Sequence, residues 1–135
     1  MKSVFAFAGF AALITIGPAA APFVARPVPG TARVMVHCPN GGRDAFVTPQ
    51  QVKIAVGDSV EWRMTGNVIA ESLVIELKDD SQAWPFSGST PRGRNSARTG
   101  SAANAGTYAY AVHLSCRLPG GGTEDVVIDP DIIIE

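Results

Sequence analysis

The chain has 135 residues, a formal net charge of −1, 14 glycines, 10 prolines and 17% charged residues. That length fits one domain with a real hydrophobic core, and a Gly- and Pro-rich, charge-poor composition suits loop-rich β structure better than helices. The near balance of charge argues against a nucleic-acid partner and against an acidic disordered tail.

Residues 1–21 read as a signal peptide. Lys2 provides a small positive start, Val4 to Ile16 an apolar run of the right length, and Gly17-Pro-Ala-Ala-Ala-Pro22 a break with small residues, so that cleavage falls after Ala19 or after Ala21. A retained anchor is the alternative, which the two prolines weaken as a spanning helix. Removal leaves an exported chain, periplasmic or extracellular, with no membrane association: a Pro-rich lead-in over 22–31 and a domain over 32–135. In an oxidising compartment the only two cysteines, Cys38 and Cys116, are expected to form a disulfide.

From Ala32 the chain alternates. Ala32, Val34, Val36 and Cys38 fall on one side, Arg33, Met35 and His37 on the other. Pro39-Asn-Gly-Gly42 signals a turn. Val52, Ile54 and Val56 form the next inward set, Gly57-Asp58 turns the chain, and Val60, Trp62 and Met64 share a face opposite Ser59, Glu61 and Arg63. Leu73, Ile75 and Leu77 point inward on another strand. The pattern fades between Lys78 and Ala105, where a short edge strand is expected near Asn95 to Thr99. Thr107 to Ser115 reads as a strand, Pro119-Gly-Gly-Gly122 as a turn, and Asp125 to Ile134 as a last strand with a bulge or edge position at Pro130. Such strands and turns, with no helical period after the leader, predict an all-β, Greek-key sandwich of about seven strands.

Two stretches are expected to meet across that sandwich. Pro49-x-x-Val52-x-Ile54-x-Val56-Gly57-Asp58-x-Val60-x-Trp62 resembles the front half of a cupredoxin, and Gly106-Thr107-Tyr108-x-Tyr110 resembles the segment leading into that family's metal loop. The resemblance implies a cupredoxin-like fold and a copper site of two imidazoles, one thiolate and a distant thioether. It places the first imidazole around Ala70 and Glu71, the thiolate at Val112 and the second imidazole at Ser115. No methionine follows Cys116. All four positions carry other residues, so the expectation is a cupredoxin-like domain without copper or other cofactor, and not an enzyme.

Two alternatives stand beside it. A copper-binding electron carrier with rearranged ligands would draw on His37, His113 and Cys116, with Cys38 and Met64 in reserve. Alternation argues against it, since Val112, Leu114 and Cys116 share the face of Tyr108 and Tyr110 while His113 points away, and His37 likewise points away from Cys38. An immunoglobulin-like adhesion module is the other, because Ala105-Gly-Thr-Tyr108 resembles a tyrosine corner.

The remaining features have plain readings and functional ones. Arg92, Arg94 and Arg98 sit in a Gly- and Ser-rich loop that is either solvated or a binding surface for a protein or a small anionic ligand. Trp84-Pro85-Phe86 plugs one end of the sandwich, or offers a ligand platform if exposed. Asp79-Asp80 and Glu124-Asp125 are adjacent carboxylates, which strands send to opposite faces and which therefore form no acid–base or calcium pair. Nucleophile-elbow, zinc-helix and phosphate-loop patterns are absent from the sequence.

Overall fold

The computed structural model describes residues 28–39, 44–65 and 72–135. The expected signal peptide, most of the Pro-rich lead-in and the positions around Ala70 and Glu71 lie outside the described residues.

Among the described residues ten strands follow in order: β1 (Thr31–His37), β2 (Phe46–Thr48), β3 (Gln51–Ile54), β4 (Ser59–Met64), β5 (Leu73–Leu77), β6 (Arg92–Gly93), β7 (Ser96–Arg98), β8 (Gly106–Arg117), β9 (Thr123–Ile128) and β10 (Asp131–Ile134). They form two mixed sheets. Sheet A runs β2-β1-β4-β7, and sheet B runs β3-β10-β8-β5-β6 with β9 also paired to β8. Because β5 and β9 both pair Val112 to Leu114, they flank opposite edges of β8, so β9 and β10 lie end to end along one edge.

The architecture is the expected all-β sandwich, with more strands for local reasons. Pro49 has no amide proton to continue a ladder, and the chain changes sheet there, from β2 to β3. Pro130 separates β9 from β10 without a change of sheet, and its carbonyl accepts the Tyr110 amide at 3.0 Å and carries the ladder across the gap. The faded segment supplies β6 on sheet B and β7 on sheet A, and so carries the chain between layers. The expected edge strand near residues 95–99 is β7.

Each sheet contains one parallel pair, β1 with β4 and β3 with β10. Immunoglobulin sheets are antiparallel, so the adhesion-module alternative fails on strand order. The local motif that suggested it is nevertheless present, since the Tyr108 hydroxyl reaches back to the carbonyls of Asn104 and Ala105 at 3.1 and 3.3 Å. A Cβ on Gly106 would lie 3.2 Å from that hydroxyl oxygen, and φ there is +149°, so glycine lets the corner close.

The core follows the alternation. Val34 and Val36 from β1 with Cys38 just past it, Val60 and Trp62 from β4, Leu73 and Ile75 from β5, and Tyr110, Val112, Leu114 and Cys116 from β8 are buried. The two stretches singled out by sequence do meet. Trp62 donates its indole N–H to the Tyr110 hydroxyl at 3.0 Å, and the rings pack edge to face across the two layers. Val56 departs from the expected inward set and is exposed. β3 ends at Ile54, and the Asp58 carboxylate accepts the Ala55 amide at 3.0 Å, which curls Val56 and Gly57 into a turn at the rim.

Candidate functional site

β1 and β4 run parallel from one end of the sandwich to the other, and β8 runs the same way in the opposite layer, from Gly106 to Arg117. Cys38 just past β1 and Cys116 near the end of β8 therefore arrive at the same end from different sheets. They are joined by a disulfide with a Cα–Cα separation of 6.1 Å, within the range such a bond needs. It joins residues 78 positions apart in sequence, and both cysteines are buried.

This end is where the sequence resemblance would put a metal, and its residues do not fit one. Val112 is fully buried in the core, paired with Ile75 on one side and Ile128 on the other. β8 does not stop there to form a loop but continues for five more residues and returns through a hairpin as β9. Ser115 faces away from the core and donates its hydroxyl to Asp125 on β9. The Cys116 sulfur is bonded to Cys38, so neither cysteine offers a thiolate. Met64 is half-buried against the core. Among the described residues, His, Cys, Asp and Glu do not gather in groups of three or more that could hold an ion.

The two histidines lie on opposite outer faces. His37 projects from sheet A, stacked on Phe46 of the neighbouring strand with ring centroids 4.3 Å apart. Its Nδ1 lies 2.9 Å from the Thr65 hydroxyl, which also reaches the Val36 carbonyl at 3.2 Å. Whichever way the hydroxyl proton points, Nδ1 is engaged. His37, Cys38, Pro39, Phe46 and Thr65 line a shallow cleft of about 280 Å³. His113 projects from sheet B beside a groove of about 260 Å³ with Ser115 and Asp125. The rearranged copper set of His37, His113 and Cys116 thus has its sulfur in a disulfide and its imidazoles on different faces.

The expected loop surface is also dispersed. Phe86 is 4% exposed and pairs by a single bridge with Ala102, so it belongs to the core and not to a ligand platform. Pro85 is fully buried, Trp84 is part-buried against Phe86 at 5.3 Å, and the three plug the end opposite the disulfide. Arg92 pairs with Val74 on sheet B, whereas Arg98 pairs with Glu61 on sheet A. Arg94 lies in the turn between them. The three arginines are not one patch. Of the carboxylate pairs, Asp79 is turned back on its own loop. The Ser81 hydroxyl, and then the Ser81 amide, hold its carboxyl below the usual range.

What sequence reading passed over is on sheet A. Phe46 and Thr65 fix the His37 ring, and Arg33, Glu61, Arg63 and Arg98 form one row of charge across β1, β4 and β7. Alternation put Arg33 and the Glu61–Arg63 pair outward, but only the register between strands makes them neighbours.

No family model matches the chain, and no curated protein does. Solved structures similar to it are cupredoxins. A purple cupredoxin from Nitrosopumilus maritimus is 19% identical, over 77% of this chain and 99% of that one, with a TM-score of 0.45. Amicyanin from Paracoccus versutus is 15% identical, over 78% and 81% of the two chains, with a TM-score of 0.41. A variant of amicyanin in its reduced Cu(I) form is 16% identical, over 83% and 86%, with a TM-score of 0.42.

Proposed function

We propose that this chain is a small exported cupredoxin-like sandwich that has given up copper and serves as a non-catalytic binding or structural module. The observation that carries this reading is the state of β8. Where the sequence resemblance calls for a thiolate, the strand has a buried valine in an unbroken ladder, and the only sulfur further along is bonded to Cys38. A blue-copper centre depends on thiolate-to-copper bonding, and a sulfur locked in a buried disulfide supplies none. An electron carrier of that type has no ligand set on these residues.

The reading of the protein as a non-enzyme rests on the same inventory. Ser115, His113 and Asp125 share one face, but the serine hydroxyl is spent on the aspartate and not offered to the imidazole, so the nucleophile–base arrangement is missing. Export is proposed from the leader-like start of the sequence and from the disulfide.

The test is copper(II) added to the mature protein, both as isolated and after reduction. The expected result is a colourless protein from which dialysis removes the metal, because reduction frees Cys116 inside the core while both imidazoles face solvent on different sides. An intense visible band in either form overturns the reading in favour of the rearranged electron carrier.

A further inference from the structure

The outer face of sheet A holds an arrangement of charge that neither the core nor the disulfide explains. Glu61 sits at the centre of the row, with Arg33 as its Cα partner on β1 and Arg98 as its Cα partner on β7. Arg63 is two residues along β4. The Glu61 side chain is only 15% exposed and meets the Arg33 Nε at 3.5 Å and the Arg63 Nε at 3.1 Å. Both contacts use the inner nitrogen of the guanidinium. The guanidinium forks of Arg33 and Arg63 belong to side chains that are 66% and 51% exposed. Arg98 is positioned differently, donating from Nη2 to the hydroxyls of Thr31 at 2.8 Å and Ser59 at 3.3 Å. Three guanidiniums are thus held in place by one carboxylate and two hydroxyls. The Asp58 carboxylate lies at the rim, where it accepts the amides of Gly30 and Ala55 and is no part of the row.

We propose that this face docks an acidic protein surface. Neighbouring strands are about 4.8 Å apart, so the row from Arg33 to Arg98 spans roughly 10 Å of flat sheet. A phosphate or sulfate is held in a convergent cradle, whereas these forks stand side by side on a plane and match carboxylates spread over a partner's surface. The face carries a charge of about +2 in a chain whose total is −1. That asymmetry steers an acidic partner to this side. A four-stranded face of this size suits a small, transient interface. The inference names a partner class for the binding reading above and rests on it, and copper titration tests that reading separately.

The experiment uses the mature protein and a polyglutamate peptide of about 20 residues at low ionic strength, where screening extends beyond about 10 Å. Binding is read from backbone amide shifts. The expected result is binding that perturbs β1, β4 and β7, is lost with added salt, and weakens about tenfold in R33Q/R63Q. R92Q/R117Q, on sheet B, leaves it unchanged. E61Q tightens binding, an outcome that a merely structural glutamate does not produce, and unshifted core resonances in each variant show that it folds. Absence of binding overturns the proposal. So do equal losses in the two double variants, or amide shifts on sheet A with inorganic phosphate or heparin but not with polyglutamate.

Discussion

The two ends of the sandwich are held by different physics. At one, Cys38 and Cys116 join the layers by a single covalent bond. At the other, around Asp58, the layers are joined by many weak contacts. The Asp58 carboxylate accepts the amides of Gly30 and Ala55, its carbonyl accepts the Ala102 amide, the Ala102 carbonyl accepts the Gly57 amide, and Val56 donates to the Glu135 carbonyl. Phe86 and Ala102 pack beneath them. A cross-link acts chiefly by restricting the unfolded chain, whereas a network of hydrogen bonds acts by satisfying groups in the folded one. The ends should therefore respond to different perturbations.

The largest expected effect comes from the covalent end. Replacing both cysteines by serine should lower unfolding free energy by about 4 to 5 kcal/mol for a loop of this length. Denaturant unfolding measures the loss. In native-state hydrogen exchange, amides that exchange through global unfolding should all lose that amount, and those of the β8–β9 hairpin and the end of β1 should lose more, because the bond also restricts local opening of that end. Uniform loss of protection would mean that the two ends are one cooperative unit.

Tyr110→Phe strikes the middle, where it leaves the buried Trp62 indole N–H without its acceptor. A cost of about 1–3 kcal/mol follows, and protection should fall at both ends together. Burial pushes the Tyr110 phenol above its ordinary value of 10, partly opposed by the Trp62 hydrogen bond, with Asp131 adding a smaller push upward. A raised folded value stabilises the fold below the unfolded value and loses that contribution as pH climbs. Stability measured against pH should thus decline above about pH 10 in the native chain and decline less in the phenylalanine variant.

Gly57→Ala sharpens the comparison from the other side. Its φ of +98° is unfavourable for a side chain, while the added Cβ meets nothing closer than 3.9 Å. A cost of about 1 kcal/mol is expected from backbone conformation alone. Its exchange signature should fall on residues 55–58, 30 and 102 and spare the disulfide end.

The smallest effect at neutral pH is electrostatic. The amides of Gly30, first, and Ala55 hold the Asp58 carboxyl below its ordinary value of 3.8, against a small opposing effect of burial. A lowered folded value contributes stability above the unfolded value and loses it as pH falls through the folded one. Acid titration below about pH 3.8 should open the Asp58 end while the disulfide end, held by a bond that does not titrate, keeps its protection.

The legibility of the chain follows the same division. The Gly57-Asp58 turn and the inward alternation of Val34, Val36, Trp62, Ile75 and Tyr110 are readable because each depends on local period or on a residue's own conformational limits, and the meeting of the two stretches is readable only through the family they resemble. Val56 was misplaced because a side chain three residues from Ala55 ends the strand, which alternation alone does not encode. Arg92 and Arg98 parted to opposite faces because β6 and β7 join different sheets. Sequence spacing says nothing of that crossing. The Arg33–Glu61–Arg98 row escaped notice for a related reason. Its members are 28 and 37 residues apart and become neighbours only through a parallel pairing of β1 with β4 and an antiparallel one of β4 with β7.

The account turns on the sulfur atoms being committed to each other. Thiol counting on the mature protein, purified without reductant and unfolded in denaturant, tests this directly. It should find no reactive thiol before reduction and two after it. Two reactive thiols before reduction would contradict the account and return Cys116 to the list of available metal ligands.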